Sequence, residues 1–587
     1  MIALLFVWVI VSFVFFSFGN AFLQACRRMA KGNDNYSFID TLLIGMCVTA
    51  SVIAVFSLWV PANTMLLFAL VFMCLIYWFC NYKAISPAAD KAFDFIGKQP
   101  KLHLALYATM MVSIAMFCTL HPMMTDTLYY HYQNLMWNDQ YAVVPGLGNL
   151  QPRLAFNSSF FLLGSTFGLK PLFGQYIFGI HTFFLALFSV WILYKTLHTK
   201  HIIRSAVGLL MFLCLFVFYK LHITSVTTDF IPNLLICYLV LKIIFDREAI
   251  DQRPILYFLL PVFIITLKIS CFCIALLPIY VLCSQIRSRR YKDSLIATLG
   301  ALLIVVPWCT RTVILSGYLI FPFPYIDLFS FDWKVPMEYA IEQKEFIQTF
   351  ARYPNNIDIR SVLAMPISEW LPIWWRSDMF YFNPVANKVF SFLTLATLPL
   401  GACFFIINRN KTEYRAVRLF WAASVLGIIV WFFNAPDFRF IFSLILAQSF
   451  LVFLQILENT NFYPVVNKIR ALPIVLAVFT VIFVVVYSSR WVYYQRDKSV
   501  PFTNFLKVPS SIEYIRMKKG IPDQNSFMSV DVNNVKIYRK SGSDRDVLCF
   551  DCPLPCSADY VGGIEMRGET LQEGFRCDPN AEHRLTY

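Results

Sequence analysis

A chain of 587 residues that is 58% hydrophobic and only 14% charged, with 59 phenylalanines and a mean hydropathy of +0.61, lies far outside the composition of water-soluble globular proteins. Its formal net charge of +14 does not point to nucleic acid, because the lysines and arginines are scattered at the ends of apolar segments and form no single basic face. What remains is an all-α polytopic membrane protein, since lipid requires each spanning segment to close its own backbone hydrogen bonds.

Apolar runs of about 17–25 residues are long enough, at about 1.5 Å per residue, to cross roughly 30 Å of hydrocarbon. They predict spans over 2–22, 40–60, 64–81, 103–121, 172–194, 204–221 and 229–245, a broken pair within 255–285, and then 295–316, 388–407, 416–434, 440–457 and 471–489. The first run lacks a basic start and a small-residue cleavage site, so it reads as a retained span. The segments CRRMAKGND, Lys83 to Lys101, KTLHTKHIIR, DREAIDQR, SQIRSRRYKD, NRNKTEYR and Lys468 to Arg470 are rich in Lys and Arg and are expected on the cytoplasmic side. The alternate segments VPANT, 122–171, LHITSVTTD, FPFPYID onward and NAPDFRF are poor in them and are expected outside.

Residues 155–169, AFNSSFFLLGSTFGL, are apolar but too few to cross, and counting them as a span would invert every later loop. They are expected to form a half-inserted helix on the outer face. The same parity puts the polar tail 490–587 outside. Twelve of the sixteen cysteines lie in or beside apolar segments and behave as small hydrophobes, whereas Cys549, Cys552, Cys556 and Cys577 sit in that tail. In an oxidising compartment these four are disulfide candidates; a zinc site is the rival, disfavoured by the absence of a nearby histidine.

TDTLYYHYQNLMWNDQYAVVPGLGN, residues 125–149, is polar in a chain that is otherwise mostly oil. From Thr127 the spacing predicts an amphipathic helix lying on the membrane surface, with Leu128, Tyr132, Leu135 and Met136 on one side and His131, Asn134 and Asn138 on the other. Asp126 starts that helix, and Arg153 follows the turn; Asp139 is expected in solvent. The plain role for Asp126 is an N-cap. The run 255–285 has basic flanks at both ends, and its two arms are each too short to cross, so Lys268 in ITLKISC marks the tip of a broken hairpin. Charges at such depth are usually paired and functional, against the alternative of snorkelling to the interface. Asp229 opens the span 229–245, and Asp437 and Arg439 in NAPDFRF precede the span 440–457; Arg311, late in 295–316, is a weaker candidate. Asp437 and Arg439 read plainly as a local ion pair, and Arg439 also as a phosphate ligand, because a guanidinium can grip two phosphate oxygens. In the loop 319–386, the tryptophans of ISEWLPIWW suit the headgroup layer.

A span, an acidic residue opening a Tyr/His-rich surface helix, and a second half-inserted helix together resemble the first external loop of the GT-C superfamily of polyprenyl-phosphate-dependent glycosyltransferases. More narrowly, DTLYYHYQNLMWNDQYAVVPGLGNLQPRLAFNSS is similar to a loop in an uncharacterised family of bacterial GT-C-like membrane proteins, and the resemblance runs from about residue 103 onward. It implies a bundle of about 13–14 spans with outer-face amphipathic helices. The implied organisation is additional N-terminal spans over 1–101, a catalytic membrane module over 102–320, an external loop with an interfacial helix over 321–386, C-terminal spans over 387–489 and a small external tail domain over 490–587.

The resemblance also implies that Asp126 activates an acceptor, that Lys268 contacts the donor phosphate, and that Tyr130, His131, Arg153, Asp229, Asp437 and Arg439 contact substrate. The implied donor is a polyprenyl-phosphate-linked sugar and the acceptor a lipid, glycan or protein. The implied place is a bacterial inner membrane, with the site facing the periplasm and membrane lipids around it. No cofactor is required on this reading; a divalent cation is compatible with it only if Asp126 and Asp229 meet. The acidic pair of the protein mannosyltransferases is absent. The competing functions are a transporter or flippase of lipid-linked sugars, although no internal repeat is evident, and an oligosaccharide polymerase.

Overall fold

The computed structural model describes residues 1–30, 36–354, 358–377, 384–521, 527–532, 535–540, 548–557 and 563–578. Residues 31–35 of the first basic loop and 378–383 of the long loop, both used above, lie outside them. The chain is an all-α polytopic membrane protein. Among the described residues ten helices are long and apolar enough to cross a membrane, and four shorter apolar helices accompany them.

In chain order the principal helices are α1 (Ile2–Ala30), α2 (Phe38–Phe56), α3 (Thr64–Gly97), α4 (Lys101–Cys118), α5 (Tyr132–Gln140), α6 (Ser159–Phe167), α7 (Gly179–His198), α8 (Ile202–Phe218) and α9 (Phe230–Phe245). Next come α10 (Pro254–Leu267), α11 (Leu276–Arg287), α12 (Tyr291–Ser316), α13 (Met337–Arg352), α14 (Ile367–Arg376), α15 (Pro384–Ile407), α16 (Arg415–Asn434), α17 (Phe442–Glu458) and α18 (Leu472–Gln495). The span expected from 172 begins instead at Gly179, because Lys170–Phe173 forms a separate turn closed by Gly174 at φ 71°.

Helices α2 and α9 are the interior of the bundle: nearly every residue of α9 is buried, while Phe392, Leu395, Ile406 and Ile407 of α15 are exposed to the surroundings, as a lipid-facing helix requires. Lipid gives apolar helices no hydrophobic reason to associate, so close backbone approach must do so. The α1–α2 crossing shows how. A Cβ on Gly19 would run into the Thr41 carbonyl, and one on Gly45 into the Phe15 carbonyl, so only glycine permits this contact.

The break expected at Lys268 is present. Helix α10 stops at Leu267, Lys268 is extended (φ −157°, ψ 117°), and a 3-10 segment over Ile269–Ala275 leads into α11.

The segment after α4 departs from the expected surface helix. Thr127–His131 is a π-turn, continuous with α5, and its polar side is as buried as its apolar side: His131 is 2% exposed and Asn134 5%. On the polar side His131 packs on Phe161 of α6 with ring centroids 5.1 Å apart, Asn134 donates to the Leu154 carbonyl at 3.4 Å and Asn138 accepts from Arg311 at 2.8 Å. The side of Leu128, Tyr132 and Gln133 is covered by a stretch some 400 residues downstream. Phe550 N–H donates to the Leu128 carbonyl at 2.7 Å, and Gln133 Nε2 donates to the Phe550 and Cys552 carbonyls at 3.1 and 2.9 Å. The tail therefore roofs this helix, at the same end of the bundle, as the loop parity predicts. Asp139 is also half-buried rather than solvated, and burial pushes its carboxyl up although the nearby Tyr176 and Lys170 favour the charged form. Helix α6 is short, as expected, and buried on nearly every side.

The tail holds two antiparallel pairs, β1 (Phe527–Val532) with β2 (Val535–Lys540) and β3 (Ile564–Met566) with β4 (Phe575–Cys577). Of the four cysteine candidates only Cys549 and Cys556 are bonded. Cys552, inside the loop they close, and Cys577, opposite Ile564 in β4, form no disulfide, which corrects the expectation for those two. In α14, Trp370 and Trp374 turn inward and are buried, leaving Trp375 38% exposed, so only part of that helix suits a headgroup layer.

Replacing Gly45 with valine forces the α1–α2 crossing apart, an overpacking cost of about 1–3 kcal/mol. Thermal unfolding of the detergent-purified variant is expected at a lower temperature than wild type, with the same direction for Gly19→Val.

Candidate functional site

Three stretches far apart in sequence converge where the π-turn meets the ends of α9, α10 and α17. Arg439 sits in a 3-10 turn over Phe438–Phe440, just before α17. Its turn is tightly held: Trp431 Nε1 donates to the Asp437 carbonyl at 2.7 Å, Trp374 Nε1 to the Pro436 carbonyl at 2.6 Å, and Tyr219 Oη to the Arg439 carbonyl at 2.7 Å. Asn233 of α9 donates to that same carbonyl at 3.2 Å. Two indoles, a phenol and an amide thus fix the backbone from which the guanidinium projects.

That guanidinium meets three carboxylates. Asp437 accepts from Arg439 Nε at 2.7 Å and from its backbone N–H at 2.9 Å; Asp126 lies 3.4 Å from Nη1 and Asp229 3.9 Å from Nη1. Asp229 is ion-paired with Lys268, whose ammonium also rests 3.9 Å from the Phe440 ring centroid. His222 Nδ1 stands 3.9 Å from Asp229 and 3.1 Å from Thr227 Oγ1.

Exposure ranks the members. The side chain of Asp126 is 33% exposed, Lys268 16%, Arg439 10%, Asp229 7% and Asp437 3%. Asp126 is the carboxylate an incoming molecule would meet, and Lys268 and Arg439 are the reachable cations. Asp437, with both oxygens engaged by Arg439, aims the guanidinium and presents no lone face to a ligand. Asp126 makes no side-chain capping bond, although it precedes the π-turn, so its carboxylate is spent on the cluster and not on the helix end.

Burial would push the Asp126 carboxyl up, but Arg439, His131 and Arg153 outweigh it and hold the group below its ordinary range. Asp229 is likewise held low, burial being overcome by Lys268, Arg439 and His222. His131 is driven down to about 4 by burial, against the opposing pull of Asp126 and Asp229, so it is a neutral imidazole. Neither of its ring nitrogens has a hydrogen bond of good geometry among the described residues. Tyr130 lies against that ring, centroids 4.2 Å apart, and Arg153 stacks over Tyr129, Tyr130 and Phe346 at 5.0, 5.6 and 5.2 Å.

All eight residues singled out around Asp126 and Lys268 therefore fall in one neighbourhood. Arg311 does not: it bonds Ser57, Asn138 and Asn157 behind α5. His222 was missed, because nothing in LHITSVTTD distinguishes a histidine that turns toward Asp229 from one in a plain loop. Arg439 Nη1 lies 3.4 Å from Asp126 and 3.9 Å from Asp229, beside both acids that a shared cation would need; no group of three or more His, Cys, Asp or Glu suited to a metal occurs among the described residues.

Residues 1–446 match the family described as Domain of unknown function (DUF8201), a stretch that contains every member of the cluster. No curated protein and no solved structure matches the chain.

Replacing Lys268 with methionine strands Asp229 as a buried charge beside only Arg439, a loss of about 3–5 kcal/mol when one partner of a buried pair is removed. Thermal unfolding in detergent should show that loss, and the double variant Lys268→Met/Asp229→Asn should recover a large part of it.

Proposed function

We propose, for a chain that belongs to the DUF8201 family, that this site carries out inverting transfer of a sugar from a polyprenyl-phosphate carrier to a lipid, glycan or protein acceptor. The proposed setting is the outer face of a bacterial cytoplasmic membrane. The observation that carries the reading is the pairing of one accessible, ionised carboxylate, Asp126, with two reachable cations, Arg439 and Lys268, in a single cluster at one end of a membrane bundle. The resemblance of the segment 126–159 to GT-C loops supports the same class.

In this reading Asp126 accepts the proton of the acceptor hydroxyl as its oxygen attacks C1 of the donor sugar. The C1–O bond to the prenyl phosphate breaks, and the phosphate leaves with the electron pair. Charge then develops on the phosphate oxygens, where fixed cations act most strongly. Arg439 and Lys268 meet that charge, and Asp437 and Asp229 keep them aimed. His131 and Tyr130, which back Asp126 with a neutral ring and an aromatic wall, shape the space that the acceptor enters. Attack from the face opposite the leaving phosphate inverts the sugar carbon.

A flippase of lipid-linked sugars would place its charges along a path through the bundle. The clustering of Asp126, Asp229, Asp437, Lys268 and Arg439 at one end favours chemistry over transport.

The test is purified protein incubated with a panel of undecaprenyl-phosphate sugars. Asp126→Asn is expected to lower turnover by about 100- to 10,000-fold, the usual contribution of a positioned base, with donor binding retained. Because the Asp126 carboxyl is held below the ordinary aspartate value of about 3.9, it stays ionised as pH falls, and turnover should hold level from pH 7 to about 4. Arg439→Gln removes the strongest of the charges favouring ionisation, so its acid limb should lie at higher pH than that of wild type. Equal turnover by Asp126→Asn would refute the base; failure to bind any such lipid would refute the class.

A further inference from the structure

Arg311 is the one buried cation singled out by sequence for which no carboxylate partner occurs among the described residues. It lies five residues from the end of α12 and is 3% exposed. Three of its five N–H groups go to neutral oxygens: Nε to Asn157 Oδ1 at 3.3 Å, Nη1 to Ser57 Oγ at 2.5 Å and Nη2 to Asn138 Oδ1 at 2.8 Å. A guanidinium does not shed its proton inside a protein, so burial cannot be relieved by neutralisation as it can for lysine or histidine. A buried charge with no counter-charge is strongly unfavourable.

A second observation is independent of the first. Arg311 lines a cavity of about 10 Å³ together with Asn134, Trp137, Asn138, Asn157 and Ser158. Trp137 is 2% exposed, and its Nε1–H, a donor with no acceptor role, is buried without a partner among the described residues. The cavity is thus lined by two residues that carry unspent donors, a cation and an indole, in a space the size of one small occupant.

We infer that this cavity is a binding site for a small monovalent anion of the halide class, chloride in ordinary buffers, which supplies the counter-charge to Arg311. A water molecule has the right size but brings no charge, and it would have to turn an oxygen lone pair to both donors while leaving the guanidinium uncompensated. The site is separate from the Asp126 cluster, and the inference does not rest on the transferase reading. Arg311 holds Asn138 near the end of α5 and Asn157 just beyond Arg153, so it pins both ends of the segment 138–157. An anion there would tighten that segment as a whole.

The experiment is thermal unfolding of the purified full chain in chloride, bromide and gluconate at matched ionic strength. A saturable rise of a few degrees with halide, absent with gluconate, is expected for wild type. Trp137→Phe keeps the ring that packs on Tyr141 and Phe575, at 5.3 and 6.0 Å between centroids, and removes only the N–H. It should shift the halide midpoint several-fold to higher concentration. Arg311→Gln should unfold at the same temperature in all three salts. Anomalous scattering from bromide-grown crystals should place a peak within reach of Arg311 and Trp137 Nε1. Identical wild-type unfolding in halide and gluconate means that water alone fills the cavity and overturns the inference. So does a halide effect that persists unchanged in Trp137→Phe, which needs no folded Arg311→Gln to be read.

Discussion

A single guanidinium holds the site end of this protein together. Arg439 touches carboxylates delivered by the segment after α4, by the start of α9 and by its own turn. It offsets the burial of Asp437 and, with Lys268 from the break between α10 and α11, that of Asp229. The most exposed of the three carboxylates is Asp126, on which Arg153 also acts, so that is where negative charge is presented. The rigidity needed to present it comes from the hydrogen bonds that pin the Pro436–Arg439 backbone, not from the charges themselves.

Helix α9 extends this logic through the molecule. Asp229 at its start belongs to the site, and Lys242, thirteen residues later and so about 20 Å away, bonds both oxygens of Asp40 at 2.5 and 2.6 Å at the other end. Asp40 also accepts from Tyr238 at 2.9 Å and lies 3.4 Å from Arg253. It begins α2, which in turn packs through Gly45 on Gly19 of α1. The first two helices are thus tied to the same strut that anchors Asp229. That agrees with a family match that starts at residue 1, although the resemblance noted from sequence begins only near 103.

The parts legible in sequence are those set by local composition. Apolar length disclosed the spans and the break at Lys268, because lipid thickness is a ruler that needs no tertiary knowledge; the second arm, Ile269–Arg287, is nonetheless long enough to cross, where both arms were expected to be too short. Charge parity put Asp126, Asp229 and Arg439 at one end before any contact was known. What periodicity could not show was cover. The polar side of α5 reads as a surface, yet Phe161, Leu154 and Arg311 cover it; a pattern repeating every few residues carries no information about partners elsewhere in the chain. The same blindness hid His222 beside Asp229, gave Arg311 to the wrong neighbourhood, and left the choice of cysteine pair undecided, since four thiols in a polar tail permit several pairings.

The roof over α5 has a consequence for biogenesis. The Leu128 carbonyl and the Gln133 amide reach across to residues 550–552, which are made after the last membrane helix. All the hydrophobic helices can be inserted while this loop still waits for its cover. Assembly of this cover is consequently deferred until residues 550–552 have been made, so a chain terminated after the last membrane helix would carry its membrane helices and lack this roof.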